Sequence, residues 1–184
     1  MKKLLFIIGS LRTNGFNYQL ANVFEELLKD RYEISYLKYD DIPFFNQDIE
    51  IPTLDVITSI RNYVINTDGI IVFTPEYNNS YPGVLKNLFD WLSRPLVYND
   101  YASGTAVIDK KVVVTGIGGN NKTLGARTKL IKLLKFMKMD VLDYSVGFSV
   151  NNDAWANNKL TLTNEQVSEL QALANEVLKI MQNS

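Results

Sequence analysis

The residues of this chain best suited to chemistry fall in three short stretches. The first is Gly9-Ser10-Leu11-Arg12-Thr13-Asn14-Gly15-Phe16-Asn17, which follows the apolar run Leu4-Leu5-Phe6-Ile7-Ile8. Where such a stretch joins a strand to a helix, the first-turn N–H groups point outward unpaired. Together with the planar fork of Arg12 they make a cradle for phosphate oxygens. The stretch is not a Walker loop, because no Gly-Lys-Ser/Thr follows. Its glycine spacing is also wrong for a dinucleotide fingerprint. A plain strand-to-helix turn remains the other reading of these residues.

The second stretch, Pro75-Glu76-Tyr77-Asn78-Asn79-Ser80, leaves the apolar run Gly69-Ile70-Ile71-Val72-Phe73 abruptly. Tyr77 offers a ring face, and Glu76, Asn78, Asn79 and Ser80 offer hydrogen-bonding groups. Pro75 sets the exit from the strand, and Pro82 is suited to open the next helix. A capped turn with an exposed tyrosine is the alternative. The third stretch is Gly116-Ile117-Gly118-Gly119-Asn120-Asn121. Glycines let a backbone approach a flat ligand closely, though they also suit a flexible turn.

Composition narrows what these loops could do. The chain has no cysteine and no histidine. Thiol catalysis, disulfides, imidazole bases and the usual zinc sites are therefore excluded. No metal site is expected, and any enzyme chemistry must use carboxylates, hydroxyls and backbone dipoles or be supplied by a bound cofactor. The net charge of −1 gives no electrostatic reason to expect nucleic acid or an anionic membrane as partner. The apolar run after Met1-Lys2-Lys3 is too short for a secretory signal and lacks a cleavage pattern. No stretch approaches the ~20 apolar residues of a membrane span. Cytoplasm is the expected compartment.

The elements that must position the loops can be read from periodicity. Apolar runs at 4–8, 69–73 and 112–115, with more alternating runs at 34–39 and 141–146, predict five strands. Helical spacing predicts helices over 18–31, 52–66, 84–92, 124–139 and 164–181. The inward faces expected include Leu20, Val23, Phe24, Leu27 and Leu28 in the first, Leu54, Ile57, Ile60, Tyr63 and Val64 in the second, and Val167, Leu170, Leu173, Val177 and Ile180 in the last. Thr163-Asn164-Glu165-Gln166 reads as a capping box. Residues 98–109 read as a long loop, and 150–159 as an Asn-rich one. Alternation of strand and helix predicts an α/β fold: a doubly wound, five-stranded parallel sheet with helices on both faces. Residues 1–184 form a single domain on this reading. All three loops then leave the carboxyl ends of strands, where such sheets bind ligands.

A phosphate cradle beside a flat, polar-edged slot suits a phosphorylated tail carrying a planar head, which is the shape of flavin mononucleotide (FMN). Gly9-Ser10-Leu11-Arg12 with Asn17, Pro75-Glu76-Tyr77-Asn78 with Ser80, Pro82-Gly83-Val84-Leu85-Lys86-Asn87 and Asp90-Trp91 together resemble the NADPH-dependent FMN reductase family. That family includes flavodoxin-like quinone, azo-dye and chromate reductases. The resemblance implies a flavodoxin-like sheet of order 2-1-3-4-5, non-covalent FMN, and a homodimer or homotetramer with each flavin near a subunit boundary. It implies NADPH or NADH as co-substrate, and a quinone, azo, nitroaromatic, metal-oxyanion or flavin acceptor served in a ping-pong cycle. The implied cofactor residues are Gly9, Ser10, Arg12, Gly15, Phe16 and Asn17 at the phosphate, and Pro75, Glu76, Tyr77, Asn78 and Ser80 along the ring. Gly116, Gly118 and Gly119 would flank the ring from the third loop. The family pattern carries a serine where this chain has Gly15, which removes one hydroxyl donor. One neutral hydrogen bond contributes ~0.5–1.5 kcal/mol. The other function class compatible with these residues is a flavodoxin-type electron carrier without NAD(P)H activity.

Overall fold

The computed structural model describes residues 1–182. The elements run β1 (Lys2–Ile8), α1 (Phe16–Leu28), β2 (Tyr32–Tyr36), a 3-10 turn (Gln47–Ile49), α2 (Asp55–Ile65), β3 (Gly69–Phe73), α3 (Gly83–Leu92), β4 (Pro95–Val97), β5 (Asp100–Thr105), β6 (Lys111–Gly118), α4 (Leu124–Phe136), β7 (Asp140–Val141), β8 (Gly147–Ser149), α5 (Ala154–Asn157) and α6 (Asn164–Gln182). The main sheet is parallel in the order β2-β1-β3-β6, with β7 and β8 sharing the place beside β6. This is the flavodoxin-like order expected from the sequence.

Side chains alternate across a strand, so each central strand feeds two cores. Leu4, Phe6, Ile71, Phe73 and Val113 pack on one side with Leu20 and Phe24 of α1 and Leu170, Leu173 and Val177 of α6. Leu5, Ile7, Ile70, Val72, Val112 and Val114 pack on the other with Ile60 and Val64 of α2, Leu88 and Leu92 of α3, and Leu130 and Leu134 of α4. Gly69 lets α6 close on the sheet, because a Cβ there would sit 2.0 Å from Met181 Cε.

Four local expectations are corrected. The fifth strand is not continuous over 141–146: β7 pairs the start of β6 and β8 its end. Polar Asp143 and Ser145 interrupt the run, and side chains replace ladder bonds in the gap. Ser145 Oγ donates to Val114 O (2.6 Å), and Thr115 Oγ1 donates to Val146 O (2.8 Å). Residues 98–109 are not all loop, since β4 and β5 form an antiparallel hairpin turning at Asn99, whose φ is 59°. α1 begins at Phe16, and α2 begins at Asp55, leaving Pro52, which follows a cis bond, outside it. Val23, Tyr63 and Val167 are exposed rather than inward. For Val167 the capping box is the reason. Thr163 Oγ1 accepts from Gln166 N (3.2 Å) and Gln166 Oε1 accepts from Thr163 N (3.0 Å). Gln166 then turns inward to donate from Nε2 to Ser149 O (2.9 Å), which rotates Val167 to solvent.

Tyr39, 5% exposed, donates its hydroxyl to Ile8 O at the end of β1 (2.5 Å). Burial raises its phenol well above the ordinary value of 10.0, and burial does the same for Tyr36. A raised folded value means that the unfolded chain ionises first, so this stability is complete below pH ~10 and is lost as pH rises beyond it. Tyr39→Phe is expected to cost about 1 kcal/mol at pH 7 through the lost hydrogen bond. It should also flatten the fall in melting temperature above pH ~10 relative to the wild type. Parallel alkaline limbs for the two proteins would refute the assignment.

Candidate functional site

The carboxyl ends of β1, β3 and β6 lie side by side, and the first two loops are tied directly. Gly9 N–H donates to Phe73 O (2.8 Å), and a Cβ on Gly9 would lie 2.7 Å from Leu85 Cδ1. Ser10 Oγ accepts from Arg12 N (3.2 Å) and lies 3.5 Å from the Tyr77 hydroxyl. Gly15 N–H closes a turn on Arg12 O (3.1 Å). Gly15 is also the extended N-cap of α1, and no side chain caps it. The first-turn N–H groups of α1 therefore lack intrahelical acceptors and are free to meet an anion. The Arg12 guanidinium lies over the buried Phe16 ring, 5.4 Å from its centroid, and its Nη2 donates to Asn158 Oδ1 (2.8 Å). No carboxylate occurs between Gly9 and Asn17, so the donors of this loop meet no internal competitor.

Asn17 has a different position from its neighbours. It is 4% exposed, its Nδ2 donates to Ile117 O (2.9 Å), and its Oδ1 accepts from Ile117 N (3.0 Å). Both ends of the amide are thus used to lock α1 onto β6, which joins the first loop to the third.

In the second loop, Tyr77 N–H donates to Ser80 O (2.9 Å) and Ser80 N–H to Tyr77 O (3.0 Å). Asn78 and Asn79 between them have φ of 52° and 58°. Two consecutive left-handed residues make the type I′ turn, which asparagine tolerates. The turn holds the half-exposed Tyr77 beside Ser10, while Pro75 is buried. The Glu76 side chain points away, toward α4. Its Oε2 accepts from Ala126 N (3.0 Å) and its Oε1 from Asn121 Nδ2, so it caps the N-terminus of α4. What Glu76 can offer a ligand is its backbone. Arg127 is buried nearby and donates from Nη1 to Ser145 O (2.9 Å) and Ser145 Oγ (3.0 Å). Desolvation lowers its affinity for its proton, and Glu76 opposes that shift.

The three glycines of the third loop divide. A Cβ on Gly116 would sit 2.0 Å from Thr74 O, so this glycine serves the close approach of two backbones. A Cβ on Gly118 would meet Thr123 Cγ2 at 2.9 Å. Only Gly119 faces open space, with nothing within 4 Å of its Cβ position. Of the three, Gly119 alone leaves its Cβ side open, and in the second loop Tyr77 and Asn78 are exposed. These donors fit FMN: an uncapped helix and an arginine for a phosphate monoester, and an aromatic, backbone-lined shelf for a planar ring. A groove of about 530 Å³ lies elsewhere, between β2 and α2, lined by Lys3, Glu33, Asn62 and Tyr63. It contains none of these donors.

Sequence reasoning did not reach Asn158 or Trp155 as site residues, and it placed Asn121 in the third loop without its role at Glu76. The Asn-rich character of 150–159 was the only visible signal for the first two; their partners lie more than a hundred residues away.

A sequence model described as NADPH-dependent FMN reductase matches residues 2–153. A quinone reductase of Pseudomonas putida is 32% identical over 129 residues, 69% of this chain and 68% of that protein. A 2-hydroxy-1,4-benzoquinone reductase of a Burkholderia species is 37% identical over 93 residues, which span half of this chain and 51% of that protein. Among solved structures, the flavoenzyme NAD(P)H:(acceptor) oxidoreductase FerB of Paracoccus denitrificans covers 100% of this chain and 98% of its own, with TM-score 0.87 and 24% identity. An archaeal flavodoxin shares the fold at TM-score 0.63 and 13% identity, covering 98% and 99% of the two chains. The matched motifs and the length of the family match agree: this chain belongs to the NADPH-dependent FMN reductase family.

Proposed function

We propose that the chain is an NAD(P)H-dependent oxidoreductase that holds FMN non-covalently and reduces a small oxidised acceptor of the quinone class. The observation that carries this reading is Arg12 fixed beside the uncapped start of α1, on the same sheet edge as the Tyr77 turn. FMN, when bound, supplies the hydride-accepting and hydride-donating chemistry.

The work left to the chain is binding and electrostatics. Arg12 and the N–H groups at the start of α1 hold the phosphate. Ser10, Tyr77 and the turn through Asn78 and Ser80 shape one wall, with Pro75 as its buried foot. Backbone N–H groups at Glu76 and Asn78 would favour negative charge at the ring edge, whereas Tyr77 N–H is spent on Ser80 O and Gly118 is paired with Ser149 of β8. Glu76, the one carboxylate in the three loop stretches, is engaged by Asn121 and Ala126, and no acid or base role is assigned to it. NADPH or NADH and the acceptor then use the same open face in turn, which gives ping-pong kinetics. Quinones fit best; azo compounds, nitroaromatics, metal oxyanions and free flavin share the requirement for a flat or compact acceptor. A second copy of the chain is the expected partner, supported by the exposed Val97, Tyr98 and Tyr101 of the β4–β5 hairpin. No described helix is long and apolar enough to cross a membrane; the cytoplasm is proposed as the compartment of the chain.

The test is a visible spectrum taken after FMN addition and desalting, then repeated anaerobically with NADPH and with NADH. A retained flavin spectrum that bleaches promptly is expected. Retention without bleaching by either nucleotide would point to an electron carrier of the flavodoxin type. No retention would remove the flavin reading.

A further inference from the structure

The loop between β8 and α6 reaches back onto the first loop at several points. Asn158, in the left-handed region at φ 55°, uses all its polar side-chain atoms there. Its Oδ1 accepts from Arg12 Nη2 (2.8 Å), and its Nδ2 donates to Asn14 O (3.2 Å). Its backbone oxygen accepts from Gln19 Nε2 (2.9 Å), which also donates to Asn14 O (3.0 Å). Gln19 Oε1 in turn accepts from Leu160 N (2.8 Å). Phe16, the ring beneath Arg12, meets Trp155 edge-to-face at 5.2 Å. A loop far along the chain is thus stitched to the cradle through its only cation.

The arrangement has a physical purpose. An exposed arginine carries ~2 kcal/mol of rotamer entropy, lost when it grips a ligand. Holding the guanidinium beforehand removes part of that cost. Asn158 takes one of the five guanidinium N–H groups and leaves the others for a phosphate fork. It is also a neutral acceptor. A carboxylate in its place would cancel the charge that an anion must find. Gly15 contributes by lacking a side chain: a Cβ there would lie 3.2 Å from Arg12 O and 3.7 Å from Arg12 Cδ, alongside the arginine stem.

Resting on the flavin reading above, we propose that Asn158 is a positioning residue that pre-orients Arg12 for a phosphate monoester, and so sets the preference of this chain for FMN over unphosphorylated riboflavin. In this account the chain replaces a hydroxyl donor at Gly15 with a guanidinium fixed in advance.

The experiment measures FMN and riboflavin dissociation constants by flavin fluorescence for the wild type, Asn158→Gly, Arg12→Ala and the double variant. Glycine is chosen because it accepts the positive φ without strain. Asn158→Gly is expected to weaken FMN binding roughly three- to tenfold, the range of one hydrogen bond, with riboflavin unchanged. In the Arg12→Ala background it should have no further effect on FMN. Equal weakening of both ligands would show general support of the loop and overturn the proposal. So would an effect that adds in full to that of Arg12→Ala, or unchanged FMN affinity in a wild type that discriminates the two flavins. A wild type that binds neither flavin would instead overturn the flavin reading itself, and this proposal with it.

Discussion

Asn17→Leu is expected to lower the melting temperature by roughly 5–15 °C while leaving a foldable chain. Leucine has the branching and the number of side-chain heavy atoms of asparagine but can neither donate nor accept. The substitution therefore strands both the N–H and the carbonyl of Ile117, which is 1% exposed. Each buried backbone group left without a partner costs ~1–3 kcal/mol. For a chain of this length each kcal/mol moves the midpoint by ~2–4 °C. The same change frees α1 from β6, so FMN and riboflavin should both bind more weakly. Thermal unfolding followed by circular dichroism checks the first part, and fluorescence titration the second. A midpoint within 2 °C of the wild type, taken as about the reach of a routine surface substitution, would deny Asn17 its clamping role.

Arg12→Ala should do the reverse, leaving the melting temperature within about 2 °C while FMN affinity falls roughly 10- to 100-fold. The side chain is exposed and its ties are peripheral, so little folding energy depends on it. Its fork toward a phosphate is charge-assisted, and such bonds contribute ~1.5–3 kcal/mol. Riboflavin affinity should be unaffected, and the wild-type preference for FMN should shrink as salt is raised. FMN affinity unchanged in the variant would remove Arg12 from the phosphate site. Taken together the two variants separate a residue that builds the site from one that uses it, although both were read from the same nine-residue stretch.

That separation shows what the sequence could and could not convey. Residue type and spacing marked the stretch around Gly9–Asn17 as a loop opening a helix, and the strands feeding it were legible because each is a short apolar run buried on both sides. Alternation of strand and helix made the doubly wound parallel sheet legible, while its order came only with the family resemblance. The roles inside the loops were not legible, because they depend on what stands opposite in space. Glu76 reads as a polar group for a ligand until Ala126 and Asn121 are found at its carboxylate. Gly116 reads as room for a ligand until Thr74 O is found filling it. The β4–β5 hairpin was hidden for another reason: β5 buries none of its residues, so no apolar period marks it. The split of the fifth strand depends on hydroxyls at Ser145 and Thr115 standing in for ladder bonds, which no local pattern announces.

The last helix carries a consequence for divisibility. The family match ends at residue 153, before α6 begins. Yet α6 supplies Leu170, Leu173, Ala174, Val177 and Met181 to one of the two cores, and its Met181 fills the notch left by Gly69. Its Gln166 also secures the end of β8. The shared segment is therefore not an autonomous unit in this chain. Severed after it, the sheet would present a bare apolar face carrying Leu4, Phe6 and Ile71 to water, an invitation to aggregation. In this chain the outward face of α6 is open to change, but the helix itself cannot be shed.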